Sequence, residues 1–252
     1  MTADSGDGGS GWLIGGRYRV LDRVGAGGMA EVFRAHDDVL DRDVAIKVFR
    51  RVSPTPDTAA GAARQRTELQ TLARLAHPNL ITLYDGSLGA EHAGEPAYLV
   101  MELIDGSTLA EAIERDAVSV GDARLIAAQI GSALAYIHAA NLVHRDVKPA
   151  NILLGTDATT GTPTMRARLS DFGIVRLVGD AAGGLTGTQF TLGTASYLAP
   201  EQARGSAVGP PADVYALGLV LLEALTRTRA FDGPPLEAAM ARLQRDPHIP
   251  SN

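Results

Sequence analysis

The sequence has 252 residues, 45% of them hydrophobic and 21% charged, enough for one large domain or two lobes with an ample core. Its net charge of −6 argues against nucleic acid as the main partner, and the absence of Cys excludes disulfides and thiolate metal sites and fits a reducing compartment. No basic-then-apolar leader opens the chain and the longest apolar run, 214–222, is too short to cross a bilayer, so a cytoplasmic location with no membrane contact from this segment is expected.

Residues 1–11, Gly-, Ser- and Asp-rich, read as a flexible tail. From Arg17 a strand is expected (Tyr18, Val20, Leu21), then the turn Gly25-Ala26-Gly27-Gly28-Met29-Ala30, then a second strand with Val32 and Phe33. Glycines without side chains let backbone N–H groups approach a phosphate, although the same run also suits a plain hairpin loop. Residues 44–48 alternate as a strand carrying Lys47, which taken alone reads more readily as a solvated lysine than as a phosphate ligand. Residues 53–63 read as a loop. Residues 64–76 predict a helix with Leu69, Leu72 and Leu75 in register, stopped by Pro78 and bearing Glu68. Two more strands are expected at 80–84 and 97–103, around a polar turn containing Gly89 and Gly94. Asp105-Gly106 predicts a turn or hinge.

Helices dominate from there. Residues 122–139 place Leu125, Ile126, Ile130, Ala133, Leu134 and Ile137 on one face. Residues 152–154 read as a short strand, 155–168 as a Thr- and Gly-rich excursion, and 174–196 as a hydroxyl-rich loop with Thr186, Thr188, Thr191, Thr194 and Ser196. Residues 213–226 predict an apolar helix, with Val214, Leu217, Leu221 and Leu225 spaced for burial and Asp213 capping its start. Residues 235–245 predict one more amphipathic helix.

The chemistry concentrates in His144-Arg145-Asp146-Val147-Lys148-Pro149-Ala150-Asn151 and in Asp171-Phe172-Gly173. An acid to receive a hydroxyl proton (Asp146), two metal-holding groups (Asn151, Asp171), a lysine (Lys47) and a glycine loop for phosphates form a toolkit for phosphoryl transfer from ATP.

In this order, and with Gly193-Thr194-Ala195-Ser196-Tyr197-Leu198-Ala199-Pro200-Glu201 downstream, the motifs resemble those of the bacterial eukaryotic-like (Hanks-type) serine/threonine protein kinases, from about Tyr18 to the end. The resemblance implies an α+β, bilobal fold. Residues 12–104 would form a small lobe with an antiparallel sheet, one helix and the hinge; residues 105–252 would form a mainly helical large lobe, with ATP between the two. Backbone groups of Glu102 and Ile104 would meet the adenine edge, with Met101 as gatekeeper. Val24, Val32, Ala45 and Leu153 would sandwich the ring, and the run Gly25 to Glu31 would cover the phosphates. Lys47, oriented by Glu68, would hold the α- and β-phosphates. Asn151 and Asp171 would hold Mg²⁺, with Mn²⁺ as an alternative. Asp146 would accept the substrate hydroxyl's hydrogen bond, Lys148 would stabilise the transferring group, and Thr194 would contact both. The acceptor would be a Ser or Thr of a protein substrate, and a kinase–kinase dimer is a further partner option.

Arg145 beside the catalytic acid implies regulation. A guanidinium pairs well with a phosphothreonine, and Thr186 and Thr188 match the autophosphorylated pair of bacterial relatives. Two departures stand out. Residues 155–168 exceed the family's usual turn. The two helices that normally follow, with an arginine for Glu201, have no counterpart before Asn252. Removing one partner of a buried ion pair costs roughly 3–5 kcal/mol, against a typical total of about 5–15. A fragment, or an eroded large lobe of reduced stability, is therefore expected, and a pseudokinase or ATP-binding scaffold with little turnover is the alternative function.

Overall fold

The computed structural model describes residues 12–27, 30–50, 67, 69–89, 96–157, 164–171 and 194–250. The expected tail (1–11), the loop at 53–63, Gly28, Met29, Glu68, Gly94, Phe172, Gly173 and the segment bearing Thr186, Thr188 and Thr191 lie outside these residues. The chain divides into two compact units, Met1–Ser53 with Leu83–Leu103, and Pro54–Thr82 with Ile104–Asn252.

The first unit is an antiparallel sheet of β1 (Leu13–Ile14), β2 (Tyr18–Ala26), β3 (Ala30–Asp37), β4 (Arg42–Phe49), β5 (Leu83–Ser87) and β6 (Tyr98–Glu102), in the order β1-β2-β3-β4-β6-β5. Alternation explains it: Tyr18, Ala35, Val44, Ile46, Val48, Tyr98 and Val100 are buried together with Ile14 in one core. Burial of each large member stabilises the sheet by about 1.5–3 kcal/mol. The register sets Val32 opposite Lys47 and Ala45 opposite Met101, so these four share one face of the sheet. The β2–β3 hairpin forms where the glycine run predicts it, but with two bulges. The bulges turn Leu21 and Val24 out of the alternation, and both are exposed. The fully buried Asp37 receives Arg17 through two 2.7 Å hydrogen bonds and caps the β3–β4 turn by accepting from the Val39 and Leu40 N–H groups. The strand expected at 80–84 instead begins at Leu83. Leu80 is buried in the second unit, where the Ile81 N–H donates to Leu169 O at 3.0 Å.

In the second unit, residues 67 and 69–73 are helical, inside the predicted 64–76 helix. A short strand, β7 (Gly106–Thr108), leads into α1 (Leu109–Glu114); then come α2 (Val120–Ala139), β8 (Ile152–Asp157), β9 (Thr164–Leu169), α3 (Pro200–Ala203), α4 (Pro210–Thr226) and α5 (Pro235–Gln244). Ser119 and Asp122 form a capping box that starts α2. Ile126, Ile130, Ala133, Leu134 and Ile137 pack into the core as expected, whereas Leu125 stays 47% exposed, about 100° round the helix from Ile126. The excursion expected at 155–168 is largely the two arms of a β8–β9 hairpin, paired from Ile152↔Leu169 to Asp157↔Thr164. β7 adds to its edge, and only a glycine fits at 106, where a Cβ would lie 1.9 Å from Leu154 O.

The apolar helix α4 starts a turn earlier than expected, at Pro210, and bears out the expected stripe at Leu217, which is buried, and at Leu221, which is partly buried against the core. Ala212, Ala216, Leu217, Leu219, Val220 and Ala224 face the core, while Val214 (61%) and Leu225 (51%) are exposed. Asp213 does not cap α4; it lies in the first turn, with its carboxylate aimed at the 144–145 loop.

Candidate active site

The His144–Asn151 stretch has little regular structure of its own, so its shape must come from side chains that satisfy its backbone. Asp213 supplies the first anchor. Its carboxylate, 1% exposed, accepts from the N–H of His144 (2.8 Å) and of Arg145 (2.7 Å), and from His138 Nε2 on α2 (2.8 Å). These bonds hold Arg145 at φ 67°, a left-handed conformation costly for a residue with a Cβ.

His144 supplies the second anchor. Its Nδ1 accepts from the Asp146 N–H (3.3 Å) and its Nε2 meets Ser170 O (2.9 Å). Those partners select the neutral tautomer protonated at Nε2. Burial, the largest influence, pushes the ring's pKa down and keeps it uncharged. His144 thereby ties Asp146 to Ser170, the residue before Asp171. The Ser170 N–H returns to Asn151 O at 2.8 Å, closing the circuit.

Within this frame Asp146, Lys148 and Asn151 come together. Lys148 Nζ lies 2.8 Å from Asp146 Oδ2, and Asn151 Nδ2 donates to the same oxygen at 3.0 Å and to Asp146 O at 2.8 Å. The other carboxylate oxygen, Oδ1, is buried and has no hydrogen-bond partner among the described residues. The carboxylate is thus fixed by one oxygen and presents the other. Asp171 follows Ser170 with φ 61°.

Beside Asp146, a small open hollow of about 10 Å³, room for about one water, is lined by Arg145, Tyr197, Leu198, Gln202 and Ala216. The wall is well tied. The Tyr197 hydroxyl donates to Glu223 Oε2 at 2.5 Å, and burial first, then this bond, pushes its pKa up. Gln202 Oε1 accepts from the Ala199 N–H (2.8 Å), while its Nε2 reaches Arg145 O (3.3 Å). The backbone of Thr194 opens the short 3-10 turn Thr194–Tyr197; its side chain lies outside the described set.

The sheet unit holds the remaining expected residues. Lys47 is 9% exposed in the middle of β4, with Nζ 5.8 Å from the centre of the Phe49 ring, so it is not the solvated lysine that the strand alone allows. Met101 is buried, Val32 and Ala45 are half-buried, and Val24 and Ala26 are exposed. Glu31 is engaged by Arg23 (3.4 Å) and Arg50 (3.3 Å). Leu153 and Ile104 belong to the second unit. The sequence reading missed Asp213 as an anchor, and it missed His138 and Gln202 altogether. Only the Asp213 carboxylate ahead of an apolar helix left a signal, and it pointed to a cap. Among the described residues no cation lies within ion-pair distance of Glu201.

Comparison with known proteins agrees with this geometry. Residues 18–248 match the protein kinase domain family. The chain is 41% identical over 241 residues to the serine/threonine-protein kinase PknA of Mycobacterium tuberculosis, covering 94% of this chain and 53% of that protein. It is 39% identical over 242 residues to a probable serine/threonine-protein kinase of Streptomyces coelicolor (94% and 34%), and 40% identical over 240 residues to PknB of Mycobacterium leprae (93% and 36%). It therefore spans between about a third and about half of the length of these curated relatives. The crystal structure of the Mycobacterium tuberculosis PknI kinase domain superposes with a TM-score of 0.66 at 27% identity, covering 95% of this chain and 88% of that one. With 231 consecutive positions under the family model and a hydrogen-bonded Asp146–Lys148–Asn151 set, the chain belongs to the protein kinase domain family, in its bacterial, Hanks-type serine/threonine branch.

Proposed function

We propose that this chain transfers the γ-phosphate of ATP to Ser or Thr hydroxyls of a protein. The observation that carries the reading is the buried, unpartnered Oδ1 of Asp146, held in place through Oδ2 by Lys148 and Asn151. An acceptor hydroxyl donating to Oδ1 is oriented for attack; its proton passes to the carboxylate late in the transfer. Lys148, already beside the carboxylate, places its charge where the transferring group gathers negative charge. An ATP-binding scaffold has no use for such an oxygen, so the pseudokinase alternative gains nothing from it.

The donor chemistry fits a magnesium ion. Asn151 and Asp171 offer an amide and a carboxylate oxygen. That suits an ion that takes few protein ligands and completes its shell with phosphate and water oxygens; Mn²⁺ shares the preference. When bound, Mg²⁺ neutralises charge on the β and γ oxygens. On this reading Lys47, with Glu68, holds the α- and β-phosphates, under backbone donors of the Gly25–Glu31 run. Glu102 and Ile104 backbone groups, Met101, Val24, Val32, Ala45 and Leu153 receive the adenine. Thr194 bridges Asp146 and Lys148, and Thr186 and Thr188, once phosphorylated, pair with Arg145 and raise activity. A protein substrate is the partner.

The test is phosphotransfer from labelled ATP with Mg²⁺ to an acceptor protein. Asp146→Asn should still bind ATP and should lose transfer by about 10²–10⁴-fold. Undiminished transfer by this variant would remove the reading. Phosphopeptide mapping that finds no phosphate on Thr186 or Thr188 would remove the regulatory part alone.

A further inference from the structure

α5 carries a guanidinium that neither the motifs nor the roles above use. Arg242 is 4% exposed. Its Nη1 donates to Leu198 O and its Nη2 to Ala195 O, while Nε donates to Ala238 O in its own helix at 3.0 Å. Its Cζ lies 4.9 Å from the centre of the Phe231 ring, a fully buried side chain. Among the described residues no carboxylate lies within ion-pair distance of it. Burial pushes its pKa down, with the neighbouring Tyr215 opposing.

A buried cation without a counter-ion is an expensive way to fill space. Desolvating it costs several kcal/mol, and an apolar side chain of similar volume would pack there at less cost. What the charge achieves is geometric. A planar fork bonds two carbonyls at fixed spacing, which a hydrophobe cannot do. Those carbonyls bracket Ser196 and Tyr197, at the end of the Thr194–Tyr197 turn, where the carbonyl dipoles favour a cation. The same segment supplies Tyr197 and Leu198 to the wall of the hollow beside Asp146. Its other ties are Tyr197 to Glu223 on α4, and Gln202 to Arg145 O. Among the described residues, the Arg242 fork is what ties α5 to the backbone of this wall.

We infer that Arg242 is a positioning residue for the acceptor: its fork on the Ala195 and Leu198 carbonyls fixes the wall against which the Ser- or Thr-bearing peptide is held over Asp146. The inference rests on the kinase reading above. It places Arg242 on the acceptor side of the reaction and assigns it no part in holding nucleotide.

The experiment compares the whole chain with Arg242→Met and Arg242→Lys, each assayed below its own melting temperature. It measures kcat and KM for an acceptor protein, KM for ATP, and ATP hydrolysis with water as acceptor. Met keeps volume and loses the fork; Lys keeps the charge and reaches one carbonyl at a time. We expect kcat/KM for the acceptor to fall roughly 10- to 100-fold in Arg242→Met. Arg242→Lys should lie between it and wild type, with KM for ATP and hydrolysis in water unchanged. If Arg242→Met does not fold, Arg242→Lys decides: an acceptor KM equal to wild type overturns the inference. Equal losses in acceptor, nucleotide and water reactions, tracking the folded fraction, would make Arg242 merely structural and also overturn it. A wild-type chain that transfers nothing to any acceptor removes the kinase reading and this inference together. Wild-type transfer with indifferent variants removes the inference alone.

Discussion

Asp213 is the residue on which the loop geometry turns, and Asp213→Asn is the sharpest perturbation of it. The carboxylate takes the His144 N–H and His138 at Oδ2 and the Arg145 N–H at Oδ1. Asn retains one oxygen and sets an amide N–H₂ against a donor, so at least one buried backbone N–H loses its acceptor. That costs about 1–3 kcal/mol. For a chain of this size each kcal/mol moves the melting temperature by about 2–4 °C, so the expected fall is roughly 2–12 °C. Asp213→Ala orphans both backbone donors, about 2–6 kcal/mol, and also releases the left-handed Arg145. The second expectation concerns chemistry. Asp146 follows Arg145 directly, so a relaxed loop moves the presented Oδ1 away from the acceptor, and an error near 1 Å costs up to about 10²-fold in rate. Thermal melts followed by circular dichroism, with phosphotransfer measured well below the melt, test both. An Asp213→Asn protein that melts lower yet transfers at the wild-type rate would show that Asp213 holds the fold and not the site. One that melts unchanged would refute the hydrogen-bond argument itself.

The pH dependence has a definite sign at His144. Its folded pKa lies below its usual 6.5, so on acidification the unfolded chain takes up a proton that the folded chain refuses. Its contribution is whole above pH 6.5 and is lost as pH falls below it. His36, raised chiefly by its hydrogen bond to Asp43, acts oppositely: its stabilisation is present at low pH and lost as pH rises through its raised pKa. The difference in melting temperature between wild type and His144→Gln, followed from pH 8 to about 5, isolates the buried ring and should narrow on acidification; a constant difference would refute it. A third expectation uses composition. Lys47 and Lys148 are the only lysines in the sequence, so an amine-acylating reagent has two side-chain targets, both in the proposed site. Mg-ATP at about ten times its Kd should slow labelling of Lys47 roughly tenfold by mass spectrometry. Asp146→Asn, which removes the carboxylate 2.8 Å from Lys148 Nζ, should speed labelling of Lys148. Labelling of Lys47 indifferent to nucleotide would contradict its phosphate role.

The parts of this protein that were legible in advance are those that short-range patterns control. Period-two alternation gave β4, with Lys47 inside it, because the strand is buried on the face opposite Lys47. The sequence Ser119-Val120-Gly121-Asp122 carries the cap of α2 in its own side chains, just ahead of the start at 122 that the apolar spacing alone predicts. What was hidden depends on neighbours distant in the chain. Leu125, Val214 and Leu225 have the right composition and periodicity for burial, but the helix faces are chosen by what packs there, and Ala212 and Ala216 won the core by letting α4 approach closely. Leu80 looked like the start of a strand because β-formers surround it; its burial with the helices outweighed that local preference. The hairpin arms at 152–157 and 164–169 were obscured by the Thr- and Gly-rich tip between them.

The same division runs through the site, and there it carries a physical lesson. The motif residues supply reactive groups: a carboxylate, an amine, an amide and a second carboxylate. None of them can orient itself. Asp146 presents Oδ1 because Lys148 and Asn151 occupy Oδ2, because His144 accepts its N–H, and because Asp213 holds the two residues before it. Asp213 lies on α4, whose apolar burial sets its depth; Tyr197 is fixed through Glu223 on that helix and through Arg242 on the next. Buried polar groups of this kind are unfavourable one by one, and each is tolerated because another satisfies it. Within this site, among the described residues, the exception is Asp146 Oδ1. A network that pairs its buried carboxylates at Asp213 and Glu223 but leaves Asp146 Oδ1 empty is not short of donors by accident of packing, since Lys148 and Asn151 are both within reach of the carboxylate and both choose the other oxygen. On the proposed function, binding energy is gained at Oδ1 only when an acceptor arrives, which is the condition for spending that energy on the transition state.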